Sequence, residues 1–310
     1  MDKNGCKARA FVVLLALLML IGGAGQVLGA EKSKLAFVRN GGIWIADSDG
    51  TDARQLTSLG EGPALSPDGK LVAFTYKRQI SLISTQGGNP RAAISSKAIK
   101  SANSVSFSPD GRYLVFRGYS ECRKDESGEE GCLVSVWLAG LVEQSLQKII
   151  SRRGNFVEMD ILAAPNMSAD GRLIVYTESD HELTGGFRVI NLQGKQVFHY
   201  PRDLRDKKPY QFARFSPDGQ TLVCCSFGLF TKPESANSPR HGIFLINMRD
   251  NSRRMVAEGS GPIFVDKGAA IVFEKDQLLP GDRSQTDLYR LELTPDAQPR
   301  KILENAEQPG

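Results

Sequence analysis

Residues 107–116 read FSPDGRYLVF, and near copies recur as ALSPDGKLVAF (64–74), NMSADGRLIVY (166–176) and RFSPDGQTLVC (214–224). Each copy couples a tight polar turn to an apolar run. Proline presets φ for the second position of a type I turn, aspartate suits the third, and glycine takes the positive φ that follows. Asp68–Gly69, Asp110–Gly111, Asp170–Gly171 and Asp218–Gly219 are therefore read as structural turn residues. The runs after them, LVAF, YLVF, LIVY and TLVC, are apolar on both faces. Such a strand has to be covered on both sides.

The surroundings repeat as well. Downstream of each run lies an alternating strand: ISLIS (80–84), LVSVWL (133–138), FRVINL (187–192) or IFLINM (243–248). A polar turn and a short fourth strand follow: RAAI, QKII, KQVF or RRMV. The turn aspartates stand 42, 60 and 48 residues apart, and a degenerate copy, FVDKGAAIVF (264–273), places Asp266 a further 48 on. Units of this length with four antiparallel strands predict an all-β fold, a β-propeller. LAFV (35–38), GIWIAD (42–47) and DGTDARQLT (49–57) form one more unit that lacks its first strand, which makes six four-stranded blades. The missing strand is expected from the tail ENAEQPG (304–310) or from residues just after residue 30. The alternative is a five-bladed ring with an open extra sheet.

Composition narrows the function. With 39 Lys and Arg against 35 Asp and Glu the net charge is only +4. No basic stripe stands out, which argues against a nucleic-acid partner. The first thirty residues run basic (Lys3, Lys7, Arg9), then apolar, then small, the order of a secretory signal cleaved near Gly29 or Ala30. An uncleaved anchor is the alternative. Residues 31–310 are then the propeller domain, exported to an oxidising compartment and not inserted in the membrane. Cys122 and Cys132 flank a polar loop that closes easily and are expected to form a disulfide. Cys224 and Cys225 are neighbours on a strand, so they point to opposite faces as small core residues.

FSPDGRYLVF together with GIWIADSDGTDARQLT (42–57) resembles the WD-like propeller repeats of TolB-like proteins of the bacterial envelope. The likeness runs over residues 35–303. It implies a six-bladed periplasmic propeller whose usual use is protein binding. The N-terminal α/β domain of TolB itself is not expected, because the repeats begin almost directly after the signal.

Chemistry is sparse. The three histidines, His181, His199 and His241, have no partner at zinc-ligand spacing, and neither a G-x-S-x-G elbow nor a phosphate loop occurs. No catalytic residue, metal or cofactor is expected. In a four-stranded meander the SPDG turns mark one face of the disc. The long connections 117–132, 227–241 and 275–286 and the links 152–163 and 200–211 fall on the other, where binding normally resides. Arg117, Tyr119, Arg123, Tyr210 and Phe230 are the candidate contacts for a protein partner, since arginines and aromatics anchor interfaces. The alternative is a carbohydrate- or small-ligand-binding propeller, or a propeller enzyme of the lyase or lactonase kind with its site at the channel mouth.

Overall fold

A computed structural model describes residues 33–124, 130–155, 162–178, 186–200, 210–227, 241–280 and 283–310. Its strands form six antiparallel sheets in chain order. Blade I holds β1 (Lys34–Arg39), β2 (Gly42–Asp47) and β3 (Arg54–Thr57). Blade II holds β4 (Glu61–Leu65), β5 (Leu71–Tyr76), β6 (Gln79–Ser84) and β7 (Arg91–Ala92). Blade III holds β8 (Ser101–Phe107), β9 (Tyr113–Lys124), β10 (Glu130–Gly140) and β11 (Leu146–Asn155). Blade IV holds β12 (Ala163–Met167), β13 (Leu173–Glu178), β14 (Gly186–Asn191) and β15 (Gln196–Tyr200). Blade V holds β16 (Tyr210–Phe215), β17 (Thr221–Phe227), β18 (His241–Asn247) and β19 (Arg253–Glu258). Blade VI holds β20 (Ser260–Val265), β21 (Ala270–Leu279), β22 (Arg283–Glu292) and β23 (Arg300–Leu303).

The apolar runs are covered on both faces because alternate residues serve different neighbours. On β5, Val72 and Phe74 pack with Ala36, Val38 and Ile43 of blade I, whereas Ala73 packs with Val105, Leu114 and Phe116 of blade III. On β13, Ile174 and Tyr176 join blade III and Val175 joins blade V. On β21, Ile271 and Phe273 join blade V, and Val272 joins Leu35 and Phe37 of blade I. Six clusters thus fill six inter-blade seams, so the core is a ring of wedges and each wedge depends on both adjacent blades. A strand with period-2 side chains and apolar residues at every position is what this arrangement requires.

The four turns repeat a single hydrogen-bond pattern. In the first, the Ser66 hydroxyl donates to Asp68 Oδ1 at 2.7 Å, and the Lys70 amide donates to the same oxygen at 3.1 Å. Ser66 Oγ in turn accepts from the Leu71 amide at 2.9 Å. Ser108–Asp110, Ser168–Asp170 and Ser216–Asp218 do the same, with distances of 2.5–2.6 Å between hydroxyl and carboxylate. Gly69, Gly111, Gly171 and Gly219 hold φ between 68° and 71°, the left-handed value for which glycine is suited. For Asp68, Asp170 and Asp218 the serine hydrogen bond is the leading cause that holds the carboxyl below its usual range. These aspartates are occupied by the turn.

The degenerate fifth copy departs from the pattern. Its residues form a single 3-10 turn, Asp266–Gly268, and Asp266 reaches across to blade I. It accepts from the Ser33 and Ser48 hydroxyls and pairs with Arg290, which is only 8% exposed.

Ring closure comes from the tail. Glu307 and Val38 exchange both backbone hydrogen bonds, as do Gly310 and Ala36, at 2.8–3.0 Å. Ala306 is buried in the seam between blades VI and I. Residues 306–310 therefore supply the fourth strand of blade I, and the five-bladed alternative is excluded.

Two long connections expected as loops are strands instead. β9 and β10 pair as far as Lys124 opposite Glu130, and β21 and β22 pair as far as Leu279 opposite Arg283. In both hairpins, the pairing runs past the end of the ladder with the innermost strand of the same blade. The first is fastened by a disulfide between Cys122 and Cys132. Cys224 and Cys225 are free and fully buried. Burial pushes the Cys225 thiol up to about 12 and the Cys224 thiol well above its ordinary value. Iodoacetamide at pH 8 should leave both unmodified in the folded protein and label both in denaturant, because the thiolate is the reactive form. Intact mass before and after unfolding checks this; labelling of the native protein would contradict it.

Candidate functional site

The candidate site is the mouth of the central channel, and a backbone feature of the innermost strands builds it. Each carries a bulge residue with positive φ: Gly62 at 53°, Ser104 at 53°, Ala164 at 47°, Phe212 at 53°, Gly261 at 55° and Gln308 at 51°. The ladder register shifts at the bulge in blades II to VI. A bulge bends the strand and re-aims its amide. In three seams that amide meets the fifth residue of the preceding blade's apolar strand. The Phe212 amide donates to Thr177 Oγ1 at 3.0 Å, the Gln308 amide donates to Glu274, and the Gly261 amide faces the Cys225 sulfur. In blade I the fifth residue is Val38, which cannot accept. The Gly62 amide is taken instead by Gln308 Oε1 at 2.7 Å. Gln308 thereby ties blades VI and II through the tail.

In blade III the fifth residue is Arg117, and it turns to the mouth. Its Nε donates to Asn103 Oδ1 at 2.8 Å, and its guanidinium lies 5.5 Å from the Tyr119 ring centre. Arg117, Tyr119 and Asn103 line a cavity of about 970 Å³, bordered also by Lys77 and Arg78 of the β5–β6 turn and by Glu61 and Glu307. This is the face of the second connections and inter-blade links, opposite the SPDG turns. A narrower cavity of about 500 Å³ continues into the channel past Pro63, Pro165, Phe212, Arg214 and Glu274. Arg214 is half-buried there, and desolvation lowers its pKa.

Glu307 is held above the usual glutamate range, first by desolvation and then by Glu274, Asp276 and Glu61. A carboxyl raised on folding opposes folding while it is ionised, and that opposition disappears as pH falls through its raised value. Glu307→Gln should therefore raise the melting temperature at pH 7, with the gain vanishing below about pH 4. Scanning calorimetry across that range checks it; equal melting at pH 7 would refute it.

The candidates from sequence divide as follows. Arg117 and Tyr119 come together at the mouth. Arg123 is exposed near the tip of the β9–β10 hairpin, away from them along the same strand. Tyr210 is a correction: it is 0% exposed, stacked edge-on between Tyr200 and Phe244, with its hydroxyl on Arg253, and it packs a seam. Phe230 lies outside the described residues, as does the signal segment. Sequence reasoning missed the bulges. Their signal was present as a small or polar residue before proline in EGPAL (61–65), AAPNM (163–167), SGPIF (260–264) and the tail EQPG (307–310). Among the described residues no group of three or more His, Cys, Asp or Glu is placed to hold a metal ion.

TolB from Acinetobacter baumannii superposes with a TM-score of 0.63 at 17% identity, over 89% of this chain and 65% of that one. The chain folds as a TolB-like propeller. A second TolB structure, from Agrobacterium tumefaciens, gives 0.58 at 14% identity over 89% of this chain and 90% of that one. An oligogalacturonate lyase from Vibrio parahaemolyticus gives 0.55 at 13% identity over 85% and 71%. At these identities the likeness is one of fold. The chain spans 65% of the length of the Acinetobacter TolB, so it matches a part of that protein. No protein-family model and no curated protein sequence matches the chain.

Proposed function

We propose that this chain is an exported propeller of the cell envelope that holds a protein partner at the channel mouth, with residues 1–30 as its cleaved signal and 31–310 as the binding domain. The observation that carries the reading is the cavity of about 970 Å³ lined by Arg117, Tyr119 and Asn103 on the face away from the SPDG turns. Arginine and tyrosine at a concave, partly desolvated rim are the residues that most often dominate binding energy. The rigid ring behind them holds their side chains in place before a partner arrives, which reduces the ordering entropy of association. TolB neighbours on the same architecture support the reading as analogy of fold.

A photoreactive amino acid in place of Tyr119 tests it in cells. A covalent adduct with an envelope protein is expected at that position and none at the exposed Arg112 beside an SPDG turn. Equal adducts at both positions, or none at Tyr119, would reject the mouth as the contact. Intact mass of the exported protein checks the leader, with a first residue near 31 expected. Stoichiometric metal in the purified protein would favour the lyase-type alternative over binding alone.

A further inference from the structure

The β5–β6 turn contradicts its own sequence. Tyr76 pairs with Gln79, so the loop has two residues, and both are left-handed: Lys77 at φ 49° and Arg78 at φ 62°. That is the pattern of a type I′ turn, which strongly prefers Asn-Gly because L side chains are strained there. Blade I supplies the comparison within the same molecule. Its β1–β2 turn has the same geometry, Arg39 opposite Gly42 with Asn40 at 52° and Gly41 at 72°, and its residues are Asn-Gly. Blade II thus places two long cationic side chains where the backbone asks for asparagine and glycine.

Both side chains are exposed, and among the described residues neither has a carboxylate partner. Lys77 sits 5.1 Å from the Tyr76 ring centre, and both residues line the mouth cavity beside Arg117. Arg78 also borders a further cavity of about 240 Å³, where Ile80, Ile94, Ile99 and Phe116 stand beside Gln79, Ser95, Ser96 and Lys97. A guanidinium therefore stands between the charged mouth and a recess whose lining is part aliphatic and part polar. Backbone strain that persists at a binding surface points to a role for the side chains it displays.

We infer that the Lys77–Arg78 turn is a recognition element for an extended acidic peptide in which an Asp or Glu neighbours an aliphatic residue. The carboxylate meets Lys77 and Arg78, and the aliphatic side chain enters the recess. Glu61 and Glu307 on the same mouth cavity repel further acids, so the carboxylate is directed to the turn. An acidic saccharide would also meet the turn, but it carries no aliphatic group to set against Ile80, Ile94 and Ile99, so it is the competing probe in the test. The inference rests on the mouth being a protein-binding site and names the chemistry it selects.

The test is Lys77→Asn with Arg78→Gly, which copies the blade I turn. The double variant should melt at a higher temperature than the native protein, because the turn strain is removed. A labelled, N-acetylated and C-amidated octapeptide pool carrying Asp or Glu beside Leu, Ile or Val serves as probe. Fluorescence anisotropy should show binding to the native protein that weakens with salt, and a loss of about tenfold or more in the double variant. The same pool with Asn and Gln in place of the acids should bind weakly to both proteins. No binding of the acidic pool, equal binding by the double variant, or preference for hexagalacturonate over the pool would overturn the inference. The photocrosslink at Tyr119 reports separately. If it persists undiminished in the double variant, the turn has no such role while the mouth still holds a partner.

Discussion

Removing residues 304–310 should collapse the cooperative fold. These residues make four backbone hydrogen bonds to Ala36 and Val38, and Gln308 adds one to Gly62 and one to Glu274. At about 1 kcal/mol net each they contribute about 6 kcal/mol, a large share of a domain stability of ~5–15 kcal/mol. Their loss also uncovers the seam that holds Leu35, Phe37 and Val272 and leaves β1 as an open edge. A fall in melting temperature of about 15 °C or more is expected, with aggregation through that edge. Gln308→Ala removes only the side-chain tie to Gly62 and should lower stability by about 1–2 kcal/mol. A truncated protein that melts within about 3 °C of the full chain would show that the ring closes without the tail.

Asp266→Ala should destabilise far more than Asp68→Ala, although the two align in the repeat. Asp68 is exposed and serves one turn, so its loss removes hydrogen bonds worth about 1 kcal/mol. Asp266 joins blades VI and I. Without it, Arg290 keeps Glu292 and its hydrogen bonds to Ser48 but loses the carboxylate that balances it in the seam, and the Ser33 and Ser48 hydroxyls lose that acceptor. Taking one partner from a largely buried pair costs about 3 kcal/mol. Desolvation alone would raise the Asp266 pKa, but the hydrogen bonds from Ser33 and Arg290 outweigh it and hold the carboxyl below 3.8. Its contribution is therefore fully present at neutral pH and is lost as pH falls below 3.8 through that lowered value. Urea unfolding of both variants at pH 7 and pH 3 checks the ranking and its sign; equal losses for the two at pH 7 would refute it.

FSPDGRYLVF states a turn and a strand covered on both faces, and both follow from local chemistry, because Ser108, Asp110 and Gly111 satisfy one another within six residues. Repeated along the chain, it states a propeller and which face carries the turns, while the choice between five and six blades waited on the tail pairing with Ala36 and Val38. Asp266 looked like one more turn residue because sequence similarity records residue type and not the direction a side chain takes. Tyr210 looked like an interface residue because it adjoins a long polar link; its burial depends on Tyr200 and Phe244, which come from two different blades.

By itself, then, the sequence determined the all-β class, the six repeats, the turn roles of the SPDG aspartates and the Cys122–Cys132 bridge, each set by residues near one another in the chain. Only the tertiary structure decided that the tail completes blade I, that Gln308 accepts the amide Val38 cannot, and that Arg117 meets Tyr119 and the Lys77–Arg78 turn at one cavity. Those facts depend on residues up to 274 positions apart, as Ala36 and Gly310 are, and closing a ring brings such residues together without leaving a local pattern in either.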